Sequence, residues 1–212
     1  MSHQPAGNEQ EPGSGPRPLR ERVRQALILA AIMLASLGGY LTVERWRGHA
    51  PVFITKTRLD EHIPFQHEWV WIYLIPYLIG PIVVGLLSRD TFRWFIRRGL
   101  VVVIASLAFF VLIPTQVVRP TVDVGDGLTA KMYRDMVAID EPPANAAPSL
   151  HVSLTCLLAW AVRRDYPRWT LVAFGVAAVV WLSTLLTHQH HLIDVGTGVA
   201  LASLAAWPWR IR

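Results

Sequence analysis

The stretch Trp169–Asp194, WTLVAFGVAAVVWLSTLLTHQHHLID, decides the fold. Residues 169–187 carry no charge and few polar groups, whereas a surface helix of a soluble protein keeps one face polar. A bilayer core takes about 20 such residues per helix. The segment reads as a membrane span, and it runs directly into His188, His190, His191 and Asp194. Five further blocks lie outward from it, at 26–43, 69–88, 99–117, 150–163 and 192–209. The block at 150–163 is short, and polar residues mark the facing ends of the last two. Residues 1–24 are rich in Pro, Gly, Glu and Arg, with almost nothing to bury, and are expected to be a disordered tail. The expectation is an all-α fold: a six-helix transmembrane bundle with both termini cytoplasmic, its catalytic domain spanning 25–210.

Composition alone decides less. The chain is 52% apolar with a mean hydropathy of +0.34, against about 45–50% apolar for soluble domains. Arrangement carries the argument, because the apolar residues fall in blocks. Several of the nine Trp (Trp69, Trp71, Trp94, Trp160, Trp169, Trp207, Trp209) stand at block ends, where an amphipathic ring suits the membrane–water interface. A net charge of +5 raises the possibility of nucleic acid. The cations are mostly Arg beside apolar blocks, however, with no stripe interleaved with aromatics, so no nucleic-acid partner is expected. The single Cys156, inside an apolar stretch, excludes a disulfide framework and a cysteine metal site. The first apolar block begins only near Ala26, with no small-residue cleavage motif after it, so a removable signal peptide is not expected.

Charge sets the orientation. With the N-terminus inside, the inner segments hold Arg17, Arg20, Arg22, Arg24, Arg89, Arg93, Arg97, Arg98, Arg163, Arg164, Arg168, Arg210 and Arg212. The outer ones hold only Arg45, Arg47, Lys56, Arg58, Arg119, Lys131 and Arg134. That is 13 of the 20 basic residues inside, while most acids, such as Asp60, Glu61, Asp126 and Asp140, fall outside. Five or seven spans would put Arg clusters on the wrong side. The protein is therefore expected in a plasma or inner membrane, with the long loop Val118–Ser149 and the short turn between spans five and six facing periplasm or exterior.

Three segments deliver reactive groups to that face. His190 and Asp194 are one helical turn apart, so the carboxylate can accept the Nδ1–H and leave Nε2 with a free lone pair. An intramembrane carboxylate is also costly enough to suggest function. Pro148-Ser149-Leu150-His151 opens the fourth span with a helix start whose N–H groups favour an anion. Arg119-Pro120 closes the third with a planar cation suited to phosphate. Singly, each has an ordinary reading: a structural ion pair, a common helix start, a snorkelling anchor. Their convergence on one face points to a catalytic site. His188 and His191 could form a metal cluster with His190, but no further carboxylate or Cys stands nearby and Asp194 is better used as an orienter. His62 and His67 lie in the first outer loop.

In order and spacing, these segments resemble the signature of the type 2 phosphatidic acid phosphatase superfamily, and in particular its branch of inositol phosphorylceramide synthases. Arg119-Pro120 matches the end of the first motif, Pro148, Ser149 and His151 the second, and Ser183, His190 and Asp194 the third. Two cations of the family pattern are replaced, by Leu112 and Thr184. The resemblance implies that His190 attacks phosphorus, Asp194 orients it, and His151 protonates the leaving group. It implies substrate binding by Arg119, Pro120, Ser149 and Ser183, with no metal or organic cofactor. The substrate is then a lipid phosphate, pyrophosphate or phosphodiester in the bilayer, and the acceptor is water or a lipid alcohol. The alternatives are a head-group transferase of the synthase type, a small transporter using the intramembrane His and Asp, and a non-catalytic scaffold.

Overall fold

The computed structural model describes residues 19–47 and 53–207. Among the described residues there are seven α-helices: α1 (Leu19–Arg47), α2 (Val70–Leu86), α3 (Arg89–Leu112), α4 (Leu128–Ile139), α5 (Leu150–Asp165), α6 (Thr170–Leu186) and α7 (Leu192–Ala206). Six coincide with the expected blocks, and α4 is an addition inside the long outer loop. The expected tail lies outside the described residues up to residue 18, whereas residues 19–24 are helical and form the first turns of α1. Residues 208–212 also lie outside.

Local chemistry explains the shifted boundaries. The third block was expected over 99–117, yet α3 starts at Arg89 because the Ser88 hydroxyl accepts the Thr91 N–H at 3.2 Å. It stops at Leu112 because Ile113 precedes Pro114, and a residue before proline is pushed out of the helical region. The described protein is mostly helical, as expected, and the chain freed there is not purely irregular. Phe53–Ile54 (β1) and Thr115–Gln116 (β2) pair as a two-stranded parallel ladder, and Gln116 bridges Ala144.

Helices α5, α3 and α7 pack against one another, with α6 beside α5 and α1 beside α2 and α3. Phe92, Phe95, Val102, Cys156, Leu157, Ala161, Ala202 and Ala205 form the main buried cluster. Many large apolar side chains face outward instead, among them Leu78, Ile82, Val101, Ile104 and Leu171, which is the surface a lipid environment wants. Among the described residues four segments are long and apolar enough to cross a membrane: Leu19–Val43, His67–Leu86, Arg89–Leu112 and Pro167–Leu186. Helices α5 and α7, with 16 and 15 residues, rise only about 24 and 22 Å at 1.5 Å per residue. Both fall short of a bilayer core of roughly 30 Å, and both begin at the end of the bundle that carries the outer loops.

Ser153 Oγ holds those two helices together by donating to Ser149 O at 2.8 Å and Gly198 O at 2.9 Å. A Cβ added at Gly198 would lie 2.8 Å from Ser149 O, closer than any real contact, and backbone cannot yield as a flexible side chain can. Gly198→Ala is therefore expected to destabilise the protein by about 1–3 kcal/mol. A lower unfolding temperature in detergent checks this, and an unchanged one contradicts the packing.

Candidate functional site

The α6–α7 turn is the centre of the site. Helix α6 ends at Leu186, and His188 adopts a left-handed φ of 49° that reverses the chain. The N–H groups of Gln189 and His190 both donate to Thr184 O, at 2.9 and 3.1 Å. Thr184, which stands where the resembled family carries Arg, thus anchors the turn through its carbonyl. His190 emerges immediately before α7 rather than on it, a correction to the shared-helix reading. Its Nδ1 still lies 3.7 Å from Asp194 Oδ2, an ion-pair separation beyond hydrogen-bonding distance.

Asp194 is fully buried. Its Oδ2 accepts the His191 N–H at 2.7 Å and the Thr55 hydroxyl at 3.2 Å, capping α7. Its Oδ1 is buried with no partner among the described residues. The Thr55 hydroxyl also contacts His191 Nδ1 at 2.7 Å, and His188 Nε2 lies 3.2 Å from Ile63 O. The three neighbouring imidazoles thus take different partners, and among the described residues no His, Cys, Asp or Glu trio is arranged for a metal ion.

A cavity of about 210 Å³ opens beside the turn, lined among others by Lys56, Glu61, Arg119, Pro120, His188 and His190. Nδ1 of His190, on the Asp194 side of the ring, is buried with no hydrogen-bond partner among the described residues. Arg119 is only 9% exposed. It donates from Nη1 to Asp140 O at 2.7 Å, and from Nη2 to Gln189 Oε1 at 2.9 Å and to the Asp140 carboxylate. Its Nε is buried without a partner among the described residues. Asp140 is steadied in turn by the Tyr40 hydroxyl at 2.6 Å.

His151 lies in the first turn of α5. Its ring stacks on Tyr73 with centroids 4.3 Å apart and planes 7° apart, and Nδ1 is 3.2 Å from the Tyr77 hydroxyl. Its Nε2 is buried and unpartnered among the described residues, and Ser149, two residues before it, is bonded to Asp194 O. His190, Arg119 and Pro120 therefore share a cavity wall, Asp194 stands behind His190, and His151 stands nearby. Ser149 and Ser183 do not reach the cavity. Both are fully buried; Ser149 Oγ caps α5 through the Val152 N–H at 3.3 Å, and Ser183 Oγ donates to Val180 O at 2.6 Å. Even the Ser149 N–H, expected to cradle an anion, donates to Asp194 O at 3.1 Å.

The sequence reading missed the first outer loop as part of this site. Asp60 is buried; it accepts the Leu192 N–H at 2.8 Å and the Thr57 N–H and hydroxyl at 2.7 and 2.6 Å. It clasps the loop to the start of α7. The Thr57-x-x-Asp60 spacing, typical of a local turn, was the one available signal. It also missed α4, although Ala130, Tyr133 and Met136 recur at helical spacing. Tyr133 and Met136 pack with Val70 and Phe65, and the Tyr133 hydroxyl donates to Thr187 O at 3.3 Å.

Two groups outside the spans tie this arrangement to pH. Burial works to raise the Asp60 pKa, but hydrogen bonds from Thr57 and Leu192 and the nearby His191 outweigh it and hold the carboxyl below its ordinary value of 3.8. Burial, helped by His190 and His188 and opposed by Asp194 and Asp60, holds His191 below its ordinary 6.5. In both cases the folded state binds fewer protons than the unfolded one, so stability falls as pH falls. The loss from His191 begins below about 6.5, and that from Asp60 below about 3.8. Asp60→Asn is expected to unfold at lower temperature than wild type at pH 7 and to lose less on going from pH 4.5 to 3. Unfolding scans across that range check it, and identical pH slopes contradict the clasp.

The model of one protein family, described as the PAP2 superfamily, matches residues 40–208. No curated protein and no solved structure matches the chain.

Proposed function

The chain belongs to the PAP2 superfamily, a family of phosphatases and phosphotransferases, and on that premise we propose that it is a membrane lipid phosphatase or phosphotransferase acting through a phosphohistidine at His190. One observation carries the reading. His190 and Arg119 line one cavity, and Asp194 Oδ2 lies 3.7 Å from Nδ1 of the same imidazole.

In the proposed reaction Arg119 holds the phosphoryl oxygens of the substrate. His190 Nε2 attacks phosphorus, an N–P bond forms, and the bond from phosphorus to the leaving oxygen breaks. His151 gives that oxygen its proton. The imidazole of His190 becomes positive as it attacks, and the buried Asp194 carboxylate stabilises that charge where water is absent. The acceptor, water or a lipid alcohol, then loses its proton to His151 and attacks phosphorus, and the N–P bond breaks. Each residue returns to its starting state without a metal or cofactor taking part.

The loop end of the bundle carries the cavity and the opposite end carries Arg89, Arg93, Arg163, Arg164 and Arg168. This asymmetry supports a site facing periplasm or exterior with both termini cytoplasmic, the four longer helices crossing the full bilayer core and the shorter α5 and α7 running from a recessed site to the other face. One observation favours transfer from a phosphodiester, as in inositol phosphorylceramide synthases, as the second reading. Leu112 is 76% exposed at the end of α3 and Thr184 is fully buried, so neither position of the family pattern supplies a cation. A phosphodiester carries one charge where a monoester carries nearly two, and it needs fewer cations.

Purified wild type and His190→Ala are to be incubated in EDTA with phosphatidic acid, a lipid pyrophosphate and phosphatidylinositol. Each donor is offered with and without ceramide or diacylglycerol, and lipid products are read by mass spectrometry. Wild type is expected to give free phosphate, or a new phospholipid when a lipid alcohol is present. His190→Ala should be slower by about ten-thousand-fold or more, and His151→Ala by about 100- to 10,000-fold. Equal turnover by wild type and His190→Ala, or none from wild type with any donor, would count against the proposal.

A further inference from the structure

We infer that Lys56, in the first outer loop, is a substrate-binding residue that supplies the second positive charge to the phosphate at this site. The inference rests on the phosphoryl-transfer reading and adds a residue that the family motifs do not contain. Lys56 and Arg119 are the lysine and arginine on the cavity wall, and their situations differ. Arg119 is already matched by the Asp140 carboxylate and has Glu141 at 3.6 Å. Its charge is largely balanced before any substrate arrives. Among the described residues the carboxylate paired with the Lys56 ammonium is Glu61, at 4.0 Å, with the two side chains 40% and 61% exposed. So loose and wet a pair is weak, and a phosphate oxygen can displace Glu61 readily.

The backbone on both sides of Lys56 is pinned, which gives the side chain a fixed origin. Thr55 is bonded to Asp194 and His191, and Thr57 is bonded to Asp60, which is itself bonded to the start of α7. The same contacts that orient His190 and α7 therefore set where Lys56 stands. A lysine on a flexible stem is a point charge that can follow a phosphate. It does so here without a cation at Leu112 or Thr184. Glu61 acts as its resident counter-ion, keeping the ammonium at the cavity mouth until an anion replaces the carboxylate.

Binding of inorganic phosphate is to be measured by titration calorimetry on purified protein in detergent, for wild type, Lys56→Gln, Lys56→Arg and Glu61→Gln, each also in a His190→Ala background. Lys56→Gln should weaken phosphate binding roughly tenfold and flatten its dependence on salt. Lys56→Arg should retain most of the affinity, and Glu61→Gln should tighten it. With lipid substrate, Lys56→Gln should raise KM about as much while kcat changes little. Phosphate binding by Lys56→Gln equal to wild type, or no phosphate binding by any form, would overturn the assignment. Lysine-dependent phosphate binding without turnover of any donor would uphold it and count against the phosphoryl-transfer reading instead.

Discussion

A carboxylate cut off from water must be satisfied by the protein around it, and Asp194 imposes that condition on the whole outer end of the bundle. Leaving such a group unpaired costs several kcal/mol, and among the described residues the chain meets that demand at one of its two oxygens. The His191 amide and the Thr55 hydroxyl reach its Oδ2, while Asp194's own carbonyl receives the Ser149 amide. One residue thereby joins the first outer loop, the start of α7 and the start of α5. The His190 imidazole is set against the same oxygen. The group that steadies the fold here is the one the proposed reaction uses to hold a developing imidazolium.

The depth of the site follows from helix length. Helices α5 and α7 are too short to span a bilayer core alone, and both start at the site. Their close approach at Gly198, locked by Ser153, keeps His151 beside the α6–α7 turn. The outer segments complete the structure above them: the β1–β2 ladder, the Asp60 clasp and α4 resting on α2. A recessed site of this form suits a phosphate carried on a lipid anchored in the same layer. It also places the atoms of the proposed reaction where electrostatic interactions are strong.

What the sequence revealed depended on whether the cause was local. Apolar blocks, a Ser149 cap and the His190–Asp194 spacing depend on neighbours in the chain, and they pointed to six of the described helices and to the turn around which the candidate site is built. The end of α3 was also local, in Pro114, but hydropathy alone carried the expected span past it. The partners of Arg119, Asp140 and Gln189, lie 21 and 70 residues away, and Thr55 reaches Asp194 across 139. Nothing in a linear reading announces such pairings. Ser149 and Ser183 show the converse: their positions fit a motif, yet folding turns their hydroxyls to helix caps and carbonyls, and the cavity wall falls to others.

The most direct measurement of the central claim is to trap the covalent intermediate. Protein turning over a lipid phosphate would be quenched in alkali, which preserves phosphohistidine, digested, and mapped by mass spectrometry. The account predicts a phosphoryl adduct on His190, formed and lost on the timescale of turnover. Turnover with no adduct, or with the phosphoryl group on His151 or any other residue, would contradict it.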